Sequence, residues 1–182
     1  MKPQWYMTPA IIVAAPFMMF STAGYAQQYM SVDEAKKSLF PEAESFSARE
    51  VALDDTAKAL IEQKSGVRVR DTAFKVYRAE AKGKKLGWVF IDRVIGKHEF
   101  ITYACAVSDD GSVRGIEILD YRETYGGEVA HPKWRAQFEG KRLNEPFKLG
   151  KDIKNISGGT LSCKNITNGV KRLLVTYEAV LK

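Results

Sequence analysis

Residues 72–79 alternate between apolar and polar side chains with the period of two that is typical of a β-strand, and apolar-rich stretches between short turns follow as far as residue 119. We expect strands at 72–79, 86–95, 100–107 and 113–119. Asp109-Asp110-Gly111 predicts a hairpin turn, because glycine takes the positive φ that such turns require. Consecutive strands with short connections predict an antiparallel meander.

Helical patterns flank this sheet. Residues 31–64 are expected to be helical, with a capping box formed by Ser31 and Glu34 at the first helix start. Pro41 is expected to end that helix, and a second helix is expected at 54–64.

The clearest helix runs to about Leu181, and Ser162 or Thr160 is expected to cap its start. Its apolar residues recur at helical spacing and predict one buried stripe. They are Ile166, Val170, Leu173, Leu174, Tyr177 and Leu181. The sequence therefore predicts an α+β fold, in which helices pack against an antiparallel sheet.

The first 26 residues follow a different pattern. Lys2 is their only charged residue, an apolar stretch covers 10–20, and the small residues Gly24 and Ala26 follow. This order is typical of a secretory signal cleaved after Ala26. The apolar run is shorter than the roughly 20 residues that span a bilayer, and an uncleaved N-terminal membrane anchor is the alternative. We expect an exported, periplasmic protein whose folded domain covers 27–182.

Composition narrows the classes of function. The chain has 182 residues, of which 45% are hydrophobic and 27% are charged, which suits one globular domain. The net charge is +6, but lysines and arginines are scattered among acids, so no nucleic-acid partner is expected. A small anionic ligand or an acidic partner fits this balance better.

Metal and haem chemistry are not predicted. Cys105 and Cys163 are too few for a four-cysteine iron–sulfur or zinc site, and no haem-attachment motif is present. His98 and His131 have no partners at metal-ligand spacing. An exported protein permits a disulfide between the two cysteines, but their separation does not establish one.

Ser157-Gly158-Gly159-Thr160 lies just before the last helix and is a candidate phosphate site. A helix start has unpaired N–H groups, and two glycines allow a ligand to approach the backbone closely. Lys154 and Lys164 flank the loop with positive charge. The spacing matches neither the P-loop nor the dinucleotide-binding fingerprint. Taken alone, these four residues fit a glycine-rich turn with a capping hydroxyl better than they fit a phosphate site.

Three segments, in the same order, resemble the FMN-binding domain family. Ser157–Ser162 resembles the S-G-A-T motif of that family, Arg122–Gly127 resembles its E-T-P-G-x-G segment, and Trp134–Lys141 resembles its W-x-x-Q-F-x-G-K segment. The likeness covers about residues 85–182. The family includes the G subunit of Rnf complexes and the C subunit of sodium-pumping NADH:quinone reductases.

The resemblance implies that FMN is attached to Thr160 through a phosphoester bond. A threonine hydroxyl is a poor nucleophile, so a separate FMN transferase is expected as a partner. Glu123 and Thr124 are expected to contact the flavin, and Trp134, Tyr121 or Tyr125 either pack on its ring or belong to the core. The remaining expected cofactor-binding residues are Ser157, Gly158, Gly159, Leu161 and Ser162.

The sequence departs from the family pattern at four places. Gly159 replaces the usual alanine, which we expect to make the loop more flexible. Tyr125 replaces the usual proline, and Gly127 stands where leucine is typical. Asp152 lies two positions further upstream than the family's acidic residue, and Lys154 occupies that place.

The resulting hypothesis is an exported flavoprotein that passes electrons between membrane or periplasmic redox partners. No acid–base pair for a substrate is evident, so an electron-transfer protein is favoured over a complete enzyme, with no catalytic residue assigned. A periplasmic flavin-dependent reductase of a small substrate and a flavin-free binding module are the alternatives.

Overall fold

Six strands form one antiparallel sheet in the computed structural model, which describes residues 27–182. The strands are β1 (Gln27–Gln28), β2 (Ser45–Ala52), β3 (Ala73–Ala81), β4 (Lys84–Ile95), β5 (Phe100–Ser108) and β6 (Val113–Tyr121). Their order across the sheet is β1-β6-β5-β4-β3-β2. The predicted meander is confirmed, and the signal assigned to residues 1–26 lies outside the described residues.

Four α-helices accompany the sheet in this part of the chain. They are α1 (Val32–Leu39), α2 (Asp55–Ser65), α3 (Pro132–Arg135) and α4 (Thr160–Val180). Short 3₁₀ turns at Gly127–Ala130 and Ala136–Phe138 flank α3. The predicted α+β class is confirmed. Within residues 27–182, no helix combines the length and the apolar character that crossing a bilayer requires.

Both faces of the sheet are covered. Helix α4 packs on one face with α2 beside it, and α1 packs on the other. Along β5, Tyr103 and Cys105 belong to the core under α4, whereas Ala104 and Ala106 belong to the core under α1. Burial on both faces explains why this strand is almost continuously apolar.

The predicted helical region at 31–64 is partly wrong. Ser31 and Glu34 form the expected capping box, and Asp54 and Gly66 bound α2 as expected. Between the two helices, however, the chain forms β2, which pairs with β3 at the edge of the sheet. Most β2 side chains are exposed, so the strand lacks the alternation of a half-buried strand and gave no periodic signal.

A buried polar network joins α4 to the sheet. Arg172 donates from Nη2 to Asp92 Oδ2 at 2.6 Å, and the Tyr103 hydroxyl donates to the same oxygen at 2.5 Å. The Arg172 and Asp92 side chains are only 15% and 11% exposed. Gly169 lies against this network, and a Cβ atom at that position would overlap with the Tyr103 hydroxyl.

We predict that Gly169→Ala lowers the free energy of unfolding by about 2 kcal/mol, because the added methyl group displaces a buried, hydrogen-bonded side chain. Helix propensity alone gives the opposite sign, a gain of about 1 kcal/mol. Urea denaturation distinguishes the loss expected from steric overlap from the gain expected from helix propensity. The matched control is Asn168→Ala, a half-buried neighbour on the same helix. A Gly169→Ala variant as stable as the parent protein would contradict this account.

Candidate functional site

Three parts of the chain meet in a groove of about 380 Å³ at one end of the molecule. They are the turn between β4 and β5, the segment that follows β6, and the loop that leads into α4. The groove is lined by Lys97, His98, Glu123, Thr124, Tyr125, Gly158, Gly159, Thr160, Leu161 and Ser162. The structure thus brings together all the predicted cofactor-binding residues except Ser157, which precedes the lining residues by one position.

Helix α4 begins at Thr160, and the expected hydroxyl cap is wrong. Gly159 occupies the N-cap position and makes no side-chain cap bond, so the first helical N–H groups keep their hydrogen-bonding capacity. The Ser162 hydroxyl instead lies 3.1 Å from the Tyr121 hydroxyl, inside the protein. The start of this 21-residue helix therefore faces the groove with free donors and the positive end of its dipole.

The Thr160 side chain is exposed and held by an amide. Asn155 Nδ2 donates to Thr160 Oγ1 at 2.9 Å, across the loop from the helix start. Because the oxygen accepts this bond, its own proton remains available to an outside base. The sequence analysis predicted no role for Asn155. The only feature that could have indicated one is its amide side chain, a few residues before the threonine hydroxyl.

The Trp134–Lys141 segment fixes the chain that enters this loop. Trp134 Nε1 donates to the Lys154 carbonyl oxygen at 2.8 Å, and the Lys154 N–H donates to Gln137 Oε1 at 2.7 Å. Lys141 Nζ lies 3.1 Å from Asp152 Oδ2. Asp152 also accepts backbone hydrogen bonds from Phe147 and Lys148. Its displaced position therefore has a structural use in this chain.

Of the three aromatic residues proposed as ring contacts, two belong to the core. Trp134 is 5% exposed and packs edge-on against Phe138, with ring centroids 5.2 Å apart. Tyr121 is buried, and its hydroxyl donates to the Tyr125 carbonyl oxygen at 2.5 Å. Tyr125 itself is 75% exposed at the groove. Among the three, only Tyr125 lies where it can contact a ligand.

Two glycines bring the Tyr125 segment and the Thr160 loop into backbone contact. Gly126 has a φ of +86°, and a Cβ atom there would lie 2.6 Å from the Gly159 Cα. A Cβ atom at Gly159 would lie 2.8 Å from the Gly126 Cα. Gly159 is therefore packed closely, contrary to the expected gain in loop flexibility.

Glu123 anchors the β4–β5 turn above the groove. Its Oε1 accepts the N–H groups of His98 at 2.5 Å and Glu99 at 2.9 Å. Burial raises the pKa of Glu123, but hydrogen bonds from Glu99, His98 and Lys97 outweigh it and hold the pKa below its ordinary value of 4.5. One carboxylate oxygen is thus committed to the turn.

We predict that Glu123→Gln lowers the free energy of unfolding at neutral pH by about 1 kcal/mol, since a neutral amide accepts these bonds less strongly and solvent screens the loss. A depressed carboxylate pKa stabilises the fold above pH 4.5, and that contribution is lost as pH falls through the lower folded value. Urea titrations at pH 7 and pH 3 should therefore show a difference between variant and parent that shrinks in acid. A difference that is constant with pH would contradict the anchoring role.

Both cysteines are free thiols in the protein interior. Burial raises the pKa of Cys163, which follows Ser162 in the first turn of α4, and it also raises the pKa of Cys105. A protonated, buried thiol is a weak nucleophile, so neither cysteine is expected to react with a ligand in the groove.

Residues 96–175 match the model of the FMN-binding domain family, and all three sequence motifs lie inside that range. This part of the chain therefore belongs to the FMN-binding domain family, and the resemblance is confirmed. The cofactor is FMN, as the motifs implied.

Two curated relatives agree with this assignment. The G subunit of the Na⁺-translocating ferredoxin:NAD⁺ oxidoreductase complex of Acetobacterium woodii is 28% identical over 158 residues, which is 81% of this chain and 74% of the relative. The C subunit of the Na⁺-translocating NADH-quinone reductase of Pasteurella multocida is 30% identical over 135 residues, 65% of this chain. The chain spans about half (52%) of that second relative.

Solved structures support the same fold. Shewanella oneidensis NqrC superposes with a TM-score of 0.56 at 17% identity, covering 79% of this chain and 84% of the other. The C subunit of the Na⁺-translocating NADH-quinone reductase from Parabacteroides distasonis gives a TM-score of 0.52 at 18% identity, with 82% and 83% covered. Residues 96–175 thus form an FMN-binding domain, and the chain is similar in sequence to subunits of two Na⁺-translocating redox complexes.

The groove fits a flavin nucleotide chemically. Its volume lies within the range of ordinary ligand sites, roughly 300–1,000 Å³. The uncapped start of α4 suits a phosphate, and Lys97 adds positive charge at the rim. Tyr125 and the 45% exposed Leu161 offer apolar surface for a ring system. The lysine and the helix N–H groups on one side match the phosphate of FMN, and the apolar surface beside them matches its ring system.

Proposed function

We propose that this protein is an exported electron carrier whose FMN is attached by a phosphoester bond to Thr160 Oγ1. The observation that carries the proposal is the position of that hydroxyl: exposed, in a ligand-sized groove, on the first residue of an uncapped helix. Among the residues of the S-G-A-T-like segment, Thr160 alone combines a hydroxyl with a place in the first turn and exposure to solvent.

The surroundings of Thr160 support attachment by an outside enzyme. The groove supplies Asn155 to orient the oxygen, but no carboxylate or imidazole within 27–182 is hydrogen-bonded to it. An FMN transferase therefore has to supply the base. The Oγ1–phosphorus bond forms, the hydroxyl proton passes to that base, and phosphorus loses the leaving group of the flavin nucleotide donor. The protein gains one FMN less one water.

The chain's own residues then hold the group in place. The first-turn N–H groups of α4 bind the phosphate, and the Asn155 amide still donates to Oγ1 after esterification, since an ester oxygen remains an acceptor. Tyr125 and Leu161 cover the ring, and the Thr124 hydroxyl offers a polar contact. FMN supplies reversible one- and two-electron chemistry when bound.

Export and the redox partners complete the proposal. The pattern of residues 1–26 supports secretion, with the N-terminal anchor as its alternative. A covalent tether keeps a cofactor at high local concentration in a compartment where free FMN is scarce. The relatives are subunits of larger redox assemblies, which supports a carrier that exchanges electrons with membrane or periplasmic partners.

Intact mass spectrometry of the protein, produced in a secreting bacterial host with and without an FMN transferase, tests the proposal. We expect a gain of one FMN less one water only with the transferase, and yellow colour that survives acid precipitation. The same spectra report whether residues 1–26 have been removed. An unmodified, colourless protein from the exported fraction would overturn the proposal.

Reduction of the loaded protein by dithionite, followed by mixing with one-electron acceptors, separates a carrier from a reductase. A carrier is expected to pass electrons to several acceptor proteins at rates set by encounter. A reductase would instead show saturable turnover with one small substrate, and would overturn the carrier assignment while leaving attachment intact.

A further inference from the structure

We infer that a second groove, next to the FMN groove, is the docking site for an acidic protein that exchanges electrons with the flavin; this rests on the proposed function. The second groove encloses about 430 Å³, and we call it the arginine groove. It is defined by Arg68, Arg70, Arg93, Ile95 and Phe100.

Arginines that have no carboxylate partner within the described residues are concentrated at the arginine groove. The chain has ten arginines, and six of them form ion pairs with carboxylates in residues 27–182. The other four are Arg49, Arg68, Arg70 and Arg93, and three of these line the groove. Asp71 is the one carboxylate among the residues that line the groove. Arg172 also lines it, but its charge is paired with Asp92.

The backbone beside Arg68 and Arg70 and the side chain of Arg93 are held in place, which lowers the cost of ordering the groove on binding. The loop between α2 and β3 is fixed by Val69, whose N–H donates to Glu62 Oε1 at 2.7 Å. Val67 and Val69 are half-buried. Arg68, which lies between them, and Arg70, which follows Val69, are exposed to solvent. The Arg93 guanidinium lies over the Phe100 ring, 4.4 Å from its centroid.

Exposed apolar residues gather around the same end of the molecule. In the described chain, the large hydrophobic residues with high exposure are Ile95 (44%), Phe100 (48%), Tyr125 (75%) and Leu161 (45%). The first two line the arginine groove and the last two line the FMN groove. Exposed aromatic and aliphatic groups rimmed by arginine are typical of protein–protein interfaces.

The two grooves are adjacent. They lie on either side of the β4–β5 turn, whose residues Lys97 and His98 line the FMN groove. Asn165, on α4, donates from Nδ2 to the Ile95 carbonyl oxygen at 2.7 Å and joins the helix to the end of β4 between them. A protein seated on Ile95 and Phe100 therefore lies next to the flavin site, as electron transfer requires.

The chemistry of the groove favours a protein over a membrane surface. Anionic membranes are typically bound by clusters of four to eight lysines and arginines. Here three arginines line a groove that also contains exposed apolar residues, and a planar guanidinium matches a carboxylate in two-point contact. The occupant is accordingly a redox protein whose docking face carries carboxylates around an apolar side chain.

The test compares Arg93→Glu with Arg49→Glu. Both residues are exposed arginines that lie near an aromatic ring and have no carboxylate partner within residues 27–182, and both changes alter net charge equally. The probe is plastocyanin, an acidic one-electron acceptor, and cytochrome c is the basic counterpart. We expect Arg93→Glu, and the double variant Arg68→Glu/Arg70→Glu, to slow oxidation of the reduced protein by plastocyanin about tenfold at low ionic strength. Arg49→Glu should change it less than threefold.

High salt should remove the difference, since screening shortens the reach of these charges. Oxidation by cytochrome c should not slow. Amide chemical-shift changes on adding plastocyanin, measured with and without FMN, should map to the arginine groove even where flavin loading fails.

Equal effects of the Arg49 and Arg93 variants would overturn the inference, as would binding of phosphatidylglycerol vesicles through these arginines with no effect on plastocyanin. If flavin content is unchanged in all variants, these contradicting results would overturn the docking inference alone and leave the proposed function intact.

Discussion

Thr160→Ala is expected to abolish covalent FMN attachment completely in a host that modifies the parent protein. The substitution removes the only atom through which the proposed phosphoester forms, and no neighbouring group replaces it. The fold should not change, because residue 160 is exposed at the first position of α4, where alanine is well tolerated. Intact mass and acid-stable flavin fluorescence measure the loss, and thermal melting confirms the fold.

Two matched variants identify the atom involved. Thr160→Ser keeps the hydroxyl and its bond from Asn155, and is expected to retain attachment at a reduced rate. Ser157→Ala removes a nearby exposed hydroxyl that precedes the helix, and should leave the adduct intact. An adduct that persists in Thr160→Ala, or that disappears only in Ser157→Ala, would place the bond elsewhere and contradict the assignment of Thr160.

Elements with strong local signals were predictable from the sequence. The capping box at Ser31, the glycine after α2 and the apolar stripe of α4 each depend on neighbours in the chain, so their positions agree with the structure. Strand β2 depends instead on its partner β3, since its exposed edge leaves few buried positions to set a period. Local patterns could not reveal it.

The residues that line the FMN groove were predictable from the sequence, but the contacts that hold them in place were not. Motif resemblance brought Glu123 and Thr160 together across 37 positions of sequence, and the structure places both in one lining. Their local roles follow from long-range contacts that no motif encodes. Glu123 turns out to hold the β4–β5 turn, and Gly159 turns out to pack on Gly126. The predicted hydroxyl cap of α4 was wrong for the same reason, because the Ser162 hydroxyl is hydrogen-bonded to the Tyr121 hydroxyl instead.

The buried pair of Asp92 and Arg172 was likewise invisible to local patterns, since 80 positions separate the two residues. Arg172→Met is expected to cost about 3–5 kcal/mol in the free energy of unfolding, because it leaves the Asp92 carboxylate buried without its cation. Urea denaturation at neutral pH measures the loss. The matched control is Arg142→Met, which breaks the exposed pair with Asp110 and should cost less than about 1 kcal/mol.

A further measurement separates an unpaired charge from lost packing. Replacing Arg172, Asp92 and Tyr103 together by Met, Leu and Phe should recover most of the stability, since a fully apolar set leaves no group unsatisfied. A deficit that is unchanged in the triple variant would instead assign the loss to packing. Because this pair joins α4 to β4, and these elements lead to Thr160 and to the turn above it, flavin loading of Arg172→Met should fall in proportion to its folded fraction.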